Sequence, residues 1–313
     1  MEKFVIIADS TCDLTAEFRE KYDIKVIFGH LVLPGNTEMI SFLDWDKIPR
    51  EKFYAQLRKD PDSFKTSPPN IDEFAAEYEK YVKQGFGVLV ITISGALSGS
   101  FGFADKAREQ VLEKYPDANI YCLDSLRFGP SFGLLAIYAS MLRSEGKSLE
   151  ETVAWLEANK QRFHQAGWLD DLSFVAKKGR LTHAKAFFGT LAGIKPIGEI
   201  DSTGMTTVLG KVKGAKNAFS VLLSYIAEVG EDLGDQIVVI AQSDRLAQAE
   251  QYKKMLEEKF SPKEIHIMDL YPSSGINVGP GLMAAYFMGK PVTEDLKYER
   301  ELIEKLIKEA EGK

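Results

Sequence analysis

The sequence predicts a two-domain α/β protein, and three observations carry that prediction. Short apolar runs alternate with helix-compatible stretches through the first half. Those runs end in loops of serine, threonine, glycine and aspartate. After about residue 150 the character changes, and two apolar segments flank the turn signal Asp201-Ser202-Thr203-Gly204. Alternating strands and helices imply parallel βαβ units with right-handed crossovers, whereas a turn between two apolar runs implies a hairpin. The expected architecture is an N-terminal domain over residues 1–155, a mostly parallel sheet with flanking helices. A C-terminal domain over 156–313 follows, a mixed or antiparallel sheet covered by helices. At 313 residues with 45% hydrophobic content, a sizeable core forms without disulfide or metal.

The elements follow in order. Phe4–Ala8 is a buried parallel strand ending at Asp9-Ser10-Thr11. Thr15–Tyr22 is a short helix. Ile24–Leu33 reads as one strand, stopped by Pro34-Gly35-Asn36. Pro49 opens a helix to about Lys59, and residues 60–70, with three prolines, read as a loop. Ile71–Lys83 is amphipathic and helical. Val88–Ile93 is a second buried strand, followed by a helix from about Ser98 to Tyr115. Asn119–Leu123 is a third strand, followed by a helix from Pro130 to Glu145. In the second half, Ser148–His164 reads as a helix and Ile194–Ile200 with Met205–Val212 as a hairpin. Ile237–Ala241 and Ile265–Leu270 read as strands around a helix, Arg245–Phe260. The chain from Gly281 onward reads as helical.

The stretch Ile93-Ser94-Gly95-Ala96-Leu97-Ser98-Gly99-Ser100-Phe101 carries the most chemical information. It is a strand end, a turn of small residues and a helix start. Small residues let a ligand approach the backbone, and the first N–H groups of a helix lack partners within it. A carboxylate or phosphate suits such a place. The loop has neither the lysine of a phosphate-binding Walker loop nor the spacing of G-x-G-x-x-G, which argues against a nucleotide. Hydroxyl residues gather at other strand ends too: Ser10, Thr11, Thr66, Ser67 and Ser125. Each taken alone is more often a cap or turn residue. Together they suggest a polar pocket beyond the carboxyl ends of the strands.

Other classes are disfavoured. A net charge of −7 without a basic run argues against nucleic acid. Cys12 and Cys122 are too few and too far apart for a metal site, so no metal or cofactor is expected. The histidines at 30, 164, 183 and 266 form no triad order and no H-x-x-x-H, so no catalytic residue is assigned. Asp170-Asp171 reads as the end of a turn. No apolar run reaches the ~20 residues of a membrane span, and no leader pattern opens the chain. Stable membrane insertion is not expected, and the cytoplasm is the expected compartment. Apolar residues without an obvious partner (Phe187, Phe188, Leu191, Met283, Tyr286 and Phe287) are core by default, or else the lining of an apolar tunnel.

Several of these motifs recur together. Ala8-Asp9-Ser10-Thr11 with Asp13-Leu14, Lys65-Thr66-Ser67-Pro68-Pro69 and the Ile93–Phe101 loop come first. Asp124-Ser125, Gly179-Arg180-Leu181, Ile194-Lys195-Pro196-Ile197 and Gly279-Pro280-Gly281 follow in order. The chain, to about residue 290, resembles the DegV family of bacterial fatty-acid-binding proteins, the lipid-carrying subunits of fatty acid kinase. The resemblance implies a non-catalytic carrier of one long-chain fatty acid, with the ligand between the two domains. It implies carboxylate contacts at Thr66 and Ser94, with Gly95, Ser98 and Asn277 beside them, and Ser10, Ser125 and Gly279 as further candidates. A separate ATP-dependent kinase subunit would then phosphorylate the presented carboxylate. Burying about fifteen methylenes at ~0.8 kcal/mol each gives on the order of 12 kcal/mol before ordering costs.

The chain departs from the family pattern at four places. Asn277 stands where members commonly carry histidine, and Gly95 replaces the second serine of I-S-S. Leu126-Arg127-Phe128-Gly129-Pro130 replaces a small, serine-containing segment, and Lys213 stands for an arginine. Two other readings of the same pocket stay open: a phosphoryl-transfer or hydrolytic enzyme, and a regulatory binder of another amphiphile.

Overall fold

The first strand, β1 (Phe4–Asp9), is buried along its whole length, which requires cover on both faces of its sheet. The computed structural model, which describes residues 3–182 and 193–312, shows how that cover is built. After β1 come α1 (Ala16–Lys21), capped by Thr15, then β2 (Ile24–Ile27), β3 (His30–Leu33) and β4 (Thr37–Ile40). α2 (Arg50–Lys59), β5 (Lys65–Ser67) and α3 (Ile71–Val82) follow, with a capping box of Asn70 and Glu73 opening α3. β6 (Gly87–Thr92), α4 (Ser100–Lys114), β7 (Ile120–Asp124), α5 (Pro130–Ser144) and α6 (Leu149–Asn159) complete this half.

The four-stranded sheet has order β2-β1-β6-β7 and is parallel throughout. Val5, Ile7, Val88 and Val90 face Phe74, Tyr78, Ala104 and Ala107 of α3 and α4. The alternate residues of β1 and β6 point the other way, where α5 and α6 pack. A separate antiparallel sheet has order β4-β3-β5.

This corrects two expectations. The apolar run 24–33 is two strands in two sheets. The break falls at Gly29, where a β-carbon would lie 2.5 Å from the Ser67 carbonyl oxygen. Residues 65–67, expected in a loop, form β5, because Thr66 pairs with Leu31.

The second half begins with β8 (Phe163–Leu169) and α7 (Ser173–Lys177). β9 (Ile194–Ile200), β10 (Thr206–Lys213), α8 (Ala215–Val229), β11 (Ile237–Gln242), α9 (Leu246–Phe260) and β12 (Glu264–Asp269) follow. α10 (Pro272–Val278), β13 (Leu282–Met288) and α11 (Lys297–Ala310) close the chain. The sheet order is β10-β9-β8-β13-β11-β12, with the β9–β10 hairpin as expected and β11 parallel to β12. The expected helix over 148–164 stops at Asn159, so His164 lies in β8. Residues 282–288, expected to be helical, are an inner strand, antiparallel to both β8 and β11. Met283 and Phe287 join Trp168, Phe219 and Tyr252 in the core under α8, α9 and α11. Tyr286, equally buried, donates to the Gln165 side chain at 2.9 Å. Phe187, Phe188 and Leu191 lie outside the described residues.

Contacts group the chain into two compact units. The first takes in residues up to Trp45, Asp62–Lys160 and Tyr271–Ser273. The second takes in Asp46–Pro61, Gln161–Leu270 and the chain from Ser274.

Candidate functional site

At the carboxyl end of β6 the chain enters the Ser94 loop, which the next strand end holds in place. Ser94 N–H donates to the Arg127 carbonyl at 2.9 Å, and Gly95 N–H donates to Asp124 Oδ1 at 3.0 Å. The same Asp124 oxygen accepts Leu126 N–H at 3.0 Å. Ser125 Oγ lies 3.1 Å from Arg127 N–H and 3.3 Å from the Arg127 carbonyl. Leu97 and Ser98 N–H both donate to the Ser94 carbonyl. Ser98 Oγ is 3.2 Å from Ser100 Oγ and accepts Ser100 N–H at 3.3 Å. Ser94, Gly95, Ser98 and Ser125 therefore form one hydrogen-bonded cluster.

The cluster modifies the expected chemistry. α4 starts at Ser100, after Gly99, and the backbone amides from Ser94 to Ser98 are already donated within the chain. A row of free amides for an anion is not what this loop offers. Its offer is the Ser94 hydroxyl. The residue is fully buried, and its Oγ accepts Ala96 N–H at 3.2 Å. That bond uses an oxygen lone pair and leaves the hydroxyl proton to donate. Two further hydroxyls near these strand ends, Thr92 Oγ1 and Ser131 Oγ, are buried without a hydrogen-bond partner.

Ser10 belongs to a different group. Its Oγ accepts Gly29 N–H at 3.3 Å and lies 3.2 Å from Ser273 Oγ, which in turn lies 2.6 Å from Ser41 Oγ. All three serines are buried. The neighbouring Asp9 holds Thr11 and, through Oδ2, the Ile93 N–H at 2.9 Å just before the Ser94 loop. Burial raises its carboxyl above the ordinary range, and the Thr11 and Ile93 bonds offset that only in part. Thr66 is half-buried at the centre of β5, opposite Leu31.

Two of the expected residues lie in the second unit. Asn277 is half-buried in the last turn of α10. Gly279 follows at φ +79°, where a β-carbon would stand 2.3 Å from the Phe174 ring, so only glycine fits. Its carbonyl accepts the Ser243 hydroxyl at 2.8 Å. Gly281 approaches Asp170, whose N–H donates to the Gly281 carbonyl at 3.1 Å. Asp170 is no mere turn end. It accepts Lys195 at 2.5 Å, Arg245 at 2.6 Å and the Trp168 indole N–H at 3.1 Å. Burial pushes its carboxyl up, but the Lys195 and Arg245 contacts outweigh burial and hold it below the usual value. The Ile194–Ile197 and Gly279–Gly281 motifs therefore meet at one carboxylate that sequence reasoning passed over. The signal was present: an acid in a partly apolar stretch with lysine and arginine elsewhere to pair it. Lys213 ends β10, its N–H donated to Glu311 at 3.1 Å.

The described histidines are each beside a glutamate: His30 with Glu73 at 2.9 Å, His164 with Glu199 at 3.0 Å, and His266 with Glu264 at 3.0 Å. His183 lies outside the described residues. Among the described residues no three His, Cys, Asp or Glu side chains group as metal ligands. Burial pushes the Cys122 thiol up to about 12 and the Cys12 thiol higher still, so both stay protonated at neutral pH. Among the described residues no helix is long and apolar enough to cross a membrane.

Parallel strand ends, a hydroxyl loop and a mixed sheet define a protein of the mixed α/β class. The model of the DegV family of uncharacterised proteins matches residues 3–290, and the chain belongs to that family. A DegV domain-containing protein of Clostridium perfringens is 34% identical over 291 residues, covering 92% of this chain and 98% of the relative. DegV of Bacillus subtilis, a fatty acid binding protein, superposes with a TM-score of 0.80 at 25% identity, covering 93% of this chain and 100% of that one. The fatty acid kinase B3 protein of Streptococcus pneumoniae, loaded with linoleic acid, superposes with a TM-score of 0.78 at 22% identity, with coverage of 92% and 100%.

Proposed function

We propose that this chain binds one long-chain fatty acid without transforming it. The carboxylate is received at the Ser94 and Thr66 hydroxyls, and the acyl chain is buried away from water. The observation that carries the reading is the Ser94 hydroxyl: buried, fixed through its backbone, and with its proton still to donate. A carboxylate is an acceptor only, so hydroxyl donors recognise it at modest desolvation cost. The fatty acid binding of the Bacillus subtilis relative supports the ligand class. In this reading the carrier works in the cytoplasm and presents its carboxylate to a separate ATP-dependent kinase, a role in keeping with the name of the Streptococcus pneumoniae fatty acid kinase B3 protein, which shares the fold.

Hydrogen bonds to a charged group are worth about 1.5–3 kcal/mol. Thr66→Ala combined with Ser94→Ala therefore weakens palmitate binding by roughly 100-fold, measured by calorimetric titration of the delipidated protein. Affinity equal to that of the unaltered chain overturns the assignment of the carboxylate to these hydroxyls.

A further inference from the structure

We infer that Asp124 is a positioning residue for the Ser94 hydroxyl, so that the 124–127 segment, and not the start of α4, sets how a head group is received. The inference rests on the fatty-acid reading and deepens it. Asp124 ends β7, and its side chain is engaged with the Ser94 loop. Its Oδ1 gathers two backbone donors, Gly95 N–H and Leu126 N–H, each at 3.0 Å. One carboxylate oxygen thus ties the turn after β6 to the turn after β7. The tie is doubled by Ser94 N–H on the Arg127 carbonyl, so both residues of the Ser94-Gly95 pair are anchored to 124–127.

The segment is itself held. Lys160 Nζ donates to the Asp124 carbonyl at 3.0 Å, and the fully buried Arg127 donates its Nε–H to the Lys160 carbonyl at 2.9 Å. Leu126 takes φ +51°, a left-handed conformation that a branched residue keeps only when its neighbours enforce it. Gly95 fits this arrangement for a steric reason. A β-carbon there would stand 2.8 Å from Asp124 Oδ2. The serine usual at that position would force the carboxylate to turn and would loosen the bonds on Oδ1.

The test uses delipidated full-length protein and palmitate labelled with carbon-13 at the carboxyl. Asp124→Ala is expected to weaken palmitate binding by about tenfold and to move the bound carboxyl resonance toward its free-solution position. Asp124→Asn keeps an acceptor oxygen and is expected to restore affinity to within about threefold. Gly95→Ala, whose methyl displaces the carboxylate while the aspartate remains, is expected to move the resonance in the same direction and keeps the test open if Asp124→Ala does not fold. Wild-type affinity and an unmoved resonance in folded Asp124→Ala or Gly95→Ala overturn the positioning role, while Ser94→Ala still reports on the ligand. Failure of the unaltered protein to bind palmitate overturns the fatty-acid reading and this inference with it.

Discussion

At the scale of single residues, the informative side chains are those whose partners explain more than one motif. Asp170 holds Lys195 and Arg245 and lies against Gly281, so its charge is part of the second unit's stability. Its folded pKa is depressed, so the unfolded chain binds this proton more readily. The contribution is complete above the ordinary carboxylate value of about 3.9 and is lost as pH falls through the lower folded value. Asp170→Asn should therefore cost stability at pH 6, and the difference from the unaltered chain should shrink steadily below pH 4 in denaturant titrations. A pH-independent difference would show that the charge is not what matters. His164 and Glu199 form a second such centre. Glu199 accepts Gln165 and Ile200 N–H as well as the Tyr225 hydroxyl, while the other nitrogen of His164 lies 2.6 Å from the Lys290 carbonyl. Both side chains are fully buried. His164→Ala leaves the carboxylate short of a partner and is expected to cost about 3–5 kcal/mol by denaturant unfolding. Asp170 and His164 were hard to read as structural centres because the residues that complete them are far apart in sequence.

At the scale of elements, legibility followed the kind of burial. β1 and β6 were plain, because strands covered on both faces are continuous apolar runs stopped by polar loops, and the half-buried edge strand β7 was legible from its short apolar run before Asp124-Ser125. The same property hid β13. Leu282–Met288 is apolar on both faces, shows no alternation, and follows Gly279-Pro280-Gly281, so nothing local separates it from a buried helix. The run over 24–33 failed for the opposite reason. Its composition is strand throughout, but Gly29 lets β5 approach and sends β3 into another sheet. The Ser94 loop was legible as a strand-to-helix turn. Its internal hydrogen bonds depend on residues 124–127, about thirty positions later, and periodicity does not report them. Close packing within the larger sheet gives a test at this scale. A β-carbon at Gly167 of β8 would stand 2.2 Å from the Met283 carbonyl and 2.4 Å from Ala284 Cα of β13. Backbone cannot yield as a flexible side chain can, so Gly167→Ala is expected to destabilise the protein by about 3 kcal/mol, seen as a lowered thermal midpoint. An unchanged midpoint would mean that the two strands can separate there without cost.

At the scale of the whole molecule, a parallel α/β unit with hydroxyl-bearing strand ends accompanies a mixed-sheet unit with a large apolar core, and the chain belongs to the DegV family. The proposed carrier would take its specificity from the Ser94 and Thr66 hydroxyls and its affinity from an apolar chain withdrawn from water. The most direct measurement is the native mass of the purified protein, followed by mass spectrometry of what organic solvent extracts from it. The account predicts one fatty acid per chain, absent after delipidation and regained on adding palmitate or oleate. A protein that carries no lipid and takes up neither fatty acid would contradict it.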